Sequence, residues 1–141
     1  MTGMADASLQ ALADREAIRE LAVHYAHCVW TKDVAALADL FTDDGVMDTG
    51  SGDPLRGADA IRDTYERVFA ADDYYPFIHN HVIELGGDEA RGTCYLDLRA
   101  VTDGKRMVGF GTYDDRYVRT RDGWRFRSRR LSMTEFRPAP E

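Results

Sequence analysis

Cysteine is scarce in this chain of 141 residues: the two present, Cys28 and Cys94, are too few for a disulfide framework and lack metal-site spacing. They read as small buried hydrophobes. Long apolar runs are missing as well, and nothing approaches the ~18 residues that a membrane-crossing helix needs. The first twelve residues have neither the basic start nor the continuous apolar stretch of a secretory signal, so a cytoplasmic protein is expected. Positive charge is in deficit, 18 Lys and Arg against 25 Asp and Glu for a net of −7. A phosphate backbone demands the opposite balance, which argues against nucleic acid as the main partner. No phosphate-binding glycine loop, dinucleotide fingerprint, Ser-His-Asp or Cys-His arrangement occurs, so neither a nucleotide cofactor nor acyl-enzyme chemistry is indicated, and no cofactor is expected.

What is present suits one soluble domain over residues 1–141. Hydrophobic residues at 44% and charged residues at 30% are ordinary for a globular chain, and this length buries roughly 68–70% of the unfolded surface around a single core. The charge divides unevenly: residues 1–90 hold 6 basic against 18 acidic side chains, and residues 91–141 hold 12 against 7. An RNA-binding C-terminal half would fit that split; acidic helices packed on basic strands fit it more simply.

Helices come first. Ile18, Leu21, Ala22, Tyr25, Cys28 and Val29 lie on one stripe of a helix from about Asp14 to Thr31, with Asp14 as a start cap. Asp33 opens a short second helix with Val34, Leu37, Leu40 and Phe41 as its apolar face. Val46 and Met47 suggest a short strand, and Arg56-Gly57 leads into a third helix carrying Ala58, Ile61, Tyr65, Val68 and Phe69. From Phe77 the texture changes to four long strands, Phe77–Leu85, Glu89–Thr102, Lys105–Arg119 and Trp124–Phe136, separated by Gly- and Asp-rich turns. Alternation sets Cys94, Leu96, Leu98 and Ala100 against Tyr95, Asp97 and Arg99. It also places Arg125, Arg127 and Arg129 together on a solvated face. Helices followed by a curled antiparallel meander make an α+β domain.

The order of Leu40-Phe41-Thr42-Asp43-Asp44, Arg56-Gly57, Gly87-Asp88-Glu89-Ala90, the run from Gly109 to Tyr117, and Asp122-Gly123-Trp124 resembles the SnoaL-like branch of the nuclear transport factor 2-like superfamily, over about residues 10–137. The resemblance implies a cone-shaped, cystatin-like α+β barrel with three N-terminal helices packed in a curved sheet. It also implies a deep apolar pocket and a homodimer through the outer sheet face. Its dehydratase and dehydrochlorinase members perform eliminations with a His base, an orienting Asp from the end of the first helix, and commonly a Tyr on that helix. The resemblance assigns the Tyr to Tyr25 and the His to His79, but Trp30 stands where the orienting Asp belongs. Asp97 is one strand position from a second family carboxylate and is the candidate substitute.

Strand alternation sets His79 on the face of His81, Ile83 and Leu85, where a near-neutral imidazole would serve as general base. The alternative is a structural histidine. Tyr25 lies on the apolar stripe, and its hydroxyl could polarise a carbonyl or hydroxyl oxygen. Trp30, Phe41, Met47, Tyr65, Phe69, Phe110, Tyr113 and Met133 are the large apolar residues expected to line a cavity, with core packing as the plainer alternative. His24 and His27 lie off the stripe, and no metal site is expected. The sequence thus points to a cofactor-independent lyase or isomerase acting on a small apolar cyclic substrate such as a steroid, polyketide or aromatic-derived compound. The alternative is a non-catalytic ligand-binding or dimeric scaffold protein.

Overall fold

The 3.6-residue stripe around Ile18 does what its spacing requires: Ile18, Leu21, Ala22, Tyr25, Cys28 and Val29 are all buried along one side of a long helix. In the computed structural model, which describes residues 2–141, this helix α1 spans Thr2–Thr31. It therefore starts well before Asp14. That residue is no cap; its buried carboxylate sits mid-helix and ties α1 to the last two strands. Arg119 grips it with Nη1 at 2.8 Å and Nη2 at 2.9 Å, and Trp124 Nε1 donates to it at 3.1 Å.

Helix α2 (Val34–Ala38) is capped by Asp33, whose side chain accepts from the Ala36 amide at 3.2 Å. Phe41, assigned by periodicity to that helix, instead begins strand β1 (Phe41–Asp48). Strand β2 (Leu55–Arg56) and helix α3 (Ala58–Ala71) follow, α3 burying Ile61, Tyr65 and Phe69. The meander comprises β3 (Asp73–Gly86), β4 (Glu89–Thr102), β5 (Lys105–Thr120) and β6 (Gly123–Pro138). All strands join one sheet in the order β2-β1-β6-β5-β4-β3. The sheet is mixed: β1 runs parallel to β6, while the other pairs are antiparallel. Its inner face wraps α1 and α3, and the buried side chains of β4 (Ala90, Cys94, Leu96, Leu98 and Ala100) pack there.

Simple alternation fails at bulges, and those failures decide the site. In β3, Ile78 pairs with Leu96 and His81 with Cys94, so His79 and Asn80 together oppose Tyr95 alone. Both Ile78 and His81 face inward, and His79 faces out, correcting the shared face expected for the two histidines. In β6, Phe126 pairs with Tyr117 but Ser128 with Arg116, so Arg127 is the extra residue. Beyond that bulge Arg129 turns inward and is completely buried, correcting its expected place on the solvated face. Among the described residues no helix is long and apolar enough to cross a membrane.

Candidate active site

Between α1, α3 and the inner face of the sheet lies a cavity of about 420 Å³. Its lining is mostly apolar, from Val29, Leu55, Val68, Pro76, Leu98 and Leu131, with Thr49, Ser51 and Thr64 adding hydroxyls. Four phenols, those of Tyr25, Tyr65, Tyr74 and Tyr113, also face it.

Tyr25 from α1 and Tyr65 from α3 meet with hydroxyl oxygens 2.6 Å apart, and the Tyr25 hydroxyl lies 3.8 Å from Met47 Sδ. One phenol must donate to the other, so the pair has a single further proton to give. When Tyr25 donates to Tyr65, that proton belongs to Tyr65 and is free for a ligand oxygen. Burial pushes the pKa of Tyr25 well up and raises that of Tyr65, so both remain protonated donors at neutral pH.

Beneath these rings runs a chain of polar groups that alternation did not locate. Arg129 Nε donates to Asp115 Oδ1 at 2.8 Å, and its Nη2 donates to Oδ2 at 3.1 Å, with both side chains wholly buried. The guanidinium carbon lies 3.7 Å from the ring centre of Tyr113 and 4.5 Å from those of Tyr25 and Phe126, a cation enclosed by π-faces. Burial works against its charge, but the Asp115 carboxylate outweighs that and raises its pKa. The Tyr117 hydroxyl donates to Asp115 Oδ2 at 2.8 Å, and His81 Nε2 lies 2.8 Å from that same hydroxyl. Since Tyr117 has spent its proton on the carboxylate, His81 Nε2 must be the donor. Burial lowers the pKa of His81. Gly92 makes the arrangement possible: a Cβ there would sit 2.6 Å from the Val82 carbonyl and 3.1 Å from the Tyr117 hydroxyl.

The structure brings His79 and Asp97 together, with Nε2 2.7 Å from Oδ2, but on the outer face of the sheet and not in the cavity. The row on which Asp97 stands, Phe77 on β3, Asp97 on β4 and Phe110 on β5, faces outward. Among the residues expected to line a pocket, Tyr65, Phe69, Tyr113 and Met133 do face the cavity. Phe41 and Met47 are core residues beside Tyr25. Phe110 is displaced because its strand parity is that of Asp97, and it is 46% exposed outside. Trp30 is displaced because the end of α1 overhangs edge strand β3. Its Nε1 donates to the Pro76 carbonyl at 2.8 Å and its ring packs on Tyr75 and Phe77, covering a free edge.

Solved structures share this architecture. A protein from Novosphingobium aromaticivorans, provisionally named an aromatic ring hydroxylase, matches at 29% identity and TM-score 0.84, over 91% of this chain and 94% of its own. An NTF2-like protein with a cystatin-like fold from the same species matches at 26% and 0.81, over 96% and 90%. The hexachlorocyclohexane dehydrochlorinase LinA-type3 from Novosphingobium barchaimii matches at 20% and 0.86, over 94% of each chain, a likeness of fold alone. No curated protein sequence matches the chain. Residues 10–130 match the family described as the SnoaL-like domain, and with most of its length so covered the chain belongs to that family.

Proposed function

We propose that the cavity takes up a small apolar cyclic molecule bearing one oxygen, and that the Tyr25–Tyr65 pair polarises that oxygen as the electrophilic half of a lyase or isomerase reaction. The observation that carries this reading is the 2.6 Å contact between two buried phenols in an otherwise apolar cavity. Such a pair contributes little to burying ligand carbon, but a donor fixed before the ligand arrives stabilises charge developing on a carbonyl or hydroxyl oxygen without reorganising. Steroid, polyketide and aromatic-derived rings are the substrate classes to test first.

A second reading, a binding protein without turnover, is favoured by the lining itself, since the residues facing the cavity include neither a carboxylate nor an imidazole. His79 and Asp97 lie across the sheet from Tyr25, so they and the phenol pair cannot act together on one molecule held in the cavity. A thermal-shift screen with ring ketones, phenols and halogenated rings, followed by turnover assays on each hit, separates the two. Turnover that falls at least tenfold in Tyr25→Phe supports the lyase or isomerase. Binding with no turnover supports the carrier, and no binding by any ring compound refutes both.

The outer face also bears on assembly. Phe77, Tyr95 and Phe110 are exposed there, on the surface through which the family resemblance implies a homodimer, and we propose that this chain pairs in the same way. Light scattering on the chain and on a Phe77→Ser, Phe110→Ser variant tests it, with loss of the dimer in the variant expected.

A further inference from the structure

The Arg129–Asp115 pair is the most costly feature of the core. Taking two charges out of water is costly before their attraction is counted, and the pair lies under the cavity where the proposed reaction does not use it. Its orientation is informative. The guanidinium end stacks on Tyr113 and Tyr25, whose rings line the cavity, whereas the carboxylate end receives Tyr117 and, through it, His81. Asp115 occupies Nε and Nη2; Nη1 is buried and has no hydrogen-bond partner among the described residues. The cation is thus incompletely matched by its carboxylate, and the face of its guanidinium lies against the Tyr25 and Tyr113 rings that line the cavity.

We propose that Arg129 is a positioning residue that makes the cavity selective for apolar ring compounds carrying an anionic oxygen, over neutral rings of the same shape. This rests on the reading of the cavity as a ring-binding site and adds the charge of what it holds. A cation against the face of a phenol draws electron density from the ring and strengthens its O–H as a donor. The hydroxyl pair that meets the ligand is therefore biased toward an oxyanion acceptor, and the field across the low-dielectric cavity has the same sign. The groups facing this space agree. On Tyr25 and Tyr113 burial dominates and raises the pKa, but the guanidinium pulls it down more than the Asp115 carboxylate pushes it up. On Tyr65 the guanidinium again opposes the rise. Tyr74, responding mainly to burial and then to Asp72, lies at the cavity's other side, and Cys94, raised to about 11 mainly by burial, stays a neutral thiol.

The test uses p-nitrophenol, which colours on ionisation, and nitrobenzene as its neutral counterpart, titrated into the protein from two pH units below to one above the phenol's solution ionisation. The expected result is that bound p-nitrophenol ionises about one unit lower than free, a tenfold preference for the phenolate, while nitrobenzene binds independently of pH. In Arg129→Met with Asp115→Asn, which removes both charges together and avoids an orphaned one, the phenolate preference disappears while nitrobenzene affinity stays within twofold. A merely structural role would weaken both probes alike. Bound p-nitrophenol that ionises at or above the pH at which the free phenol does, in the unaltered protein, overturns the proposal without needing any variant to fold, and an undiminished preference in the double variant overturns it too. If nitrobenzene binds and the phenolate does not, the ring-binding reading survives and the charge selectivity fails; if neither binds, both fail.

Discussion

Removing the Tyr25 and Tyr65 hydroxyls, singly and together, probes the feature on which the functional reading rests. In Tyr25→Phe the buried Tyr65 hydroxyl loses the partner that lies 2.6 Å away. In Tyr65→Phe, Tyr25 keeps only the Met47 sulfur at 3.8 Å, a weak acceptor. A buried hydroxyl left unsatisfied costs about 1–3 kcal/mol, so each single change should destabilise the fold by that order. The double change leaves neither hydroxyl stranded and removes only two polar atoms, so its cost should fall short of the sum by about 1 kcal/mol or more. Urea denaturation of the four proteins at pH 7, with the slopes compared to confirm like-for-like unfolding, gives the coupling directly. Additive single costs would show that water, not the other phenol, satisfies each hydroxyl, and the preset donor would be lost from the mechanism. Ligand affinity measured on the same set should fall in Tyr65→Phe at least as far as in Tyr25→Phe, because Tyr65 holds the free proton when Tyr25 donates.

Four further outcomes follow from the same geometry. Arg119 and the other donors hold the Asp14 carboxyl down at about 2, against an ordinary 3.8. Its contribution of roughly 2 kcal/mol is present above pH 3.8 and lost as pH falls toward 2, a drop in denaturation free energy that Asp14→Asn should abolish. Burial lowers the pKa of His81 from its ordinary 6.5. The unfolded chain therefore takes up a proton first, and stability present above pH 6.5 declines as pH falls below it; an NMR titration of the His81 ring should show a midpoint below 6.5. Gly92→Ala would place a Cβ against the Val82 carbonyl, which is backbone and cannot swing away. It should cost about 1–3 kcal/mol in urea denaturation, and an unchanged midpoint would show that the strand can shift. Trp30→Asp should create no turnover on any ring compound that binds, since Trp30 covers the β3 edge outside the cavity.

The fold was largely legible because its signals are periodic. The α1 stripe at 3.6 residues, the β4 alternation from Cys94 to Ala100, and the Asp103-Gly104 turn each rest on local physics that the tertiary structure keeps. Part of the cavity's lining was legible for the same reason: Tyr65 and Phe69 share the buried face of α3, and Tyr113 lies on the inner parity of β5. Bulges hid the inward places of His81 and Arg129, although they leave a trace in the sequence. In β6 the apolar residues Trp124 and Phe126 are even-numbered, Leu131 and Met133 odd, and Phe136 even again; each change of parity marks an inserted residue. In β3 the change falls between Ile78 and Ile83. Asp115 carried a second signal, an acidic residue between inward Tyr113 and Tyr117, which calls for a buried cation. Arg129, past one parity change, is that cation.

These parity changes also decide which chemistry the interior can hold. His79 follows Ile78, whose side chain packs against the core, and alternation from Ile78 sends His79 outward whatever happens further along β3. Turning the imidazole inward would expel Ile78, at a cost of about 1.5–3 kcal/mol for that side chain if it is fully exposed, besides the lost contact with Asp97. The β3 bulge therefore removes no base from the cavity; it allows His81, rather than a residue of the His79 parity, to share the inward face with Ile78 and Ile83. The β6 bulge has the larger chemical effect, because without it Arg129 would share the outer parity of Arg125 and Arg127, and Asp115 would be left without a buried cation. Two inserted residues thus place an imidazole and a guanidinium on the inner face, joined through Tyr117 and Asp115. On the proposed reading the interior polarises a bound oxygen through groups already committed to one another, whereas the His79–Asp97 pair stays on the exposed outer face.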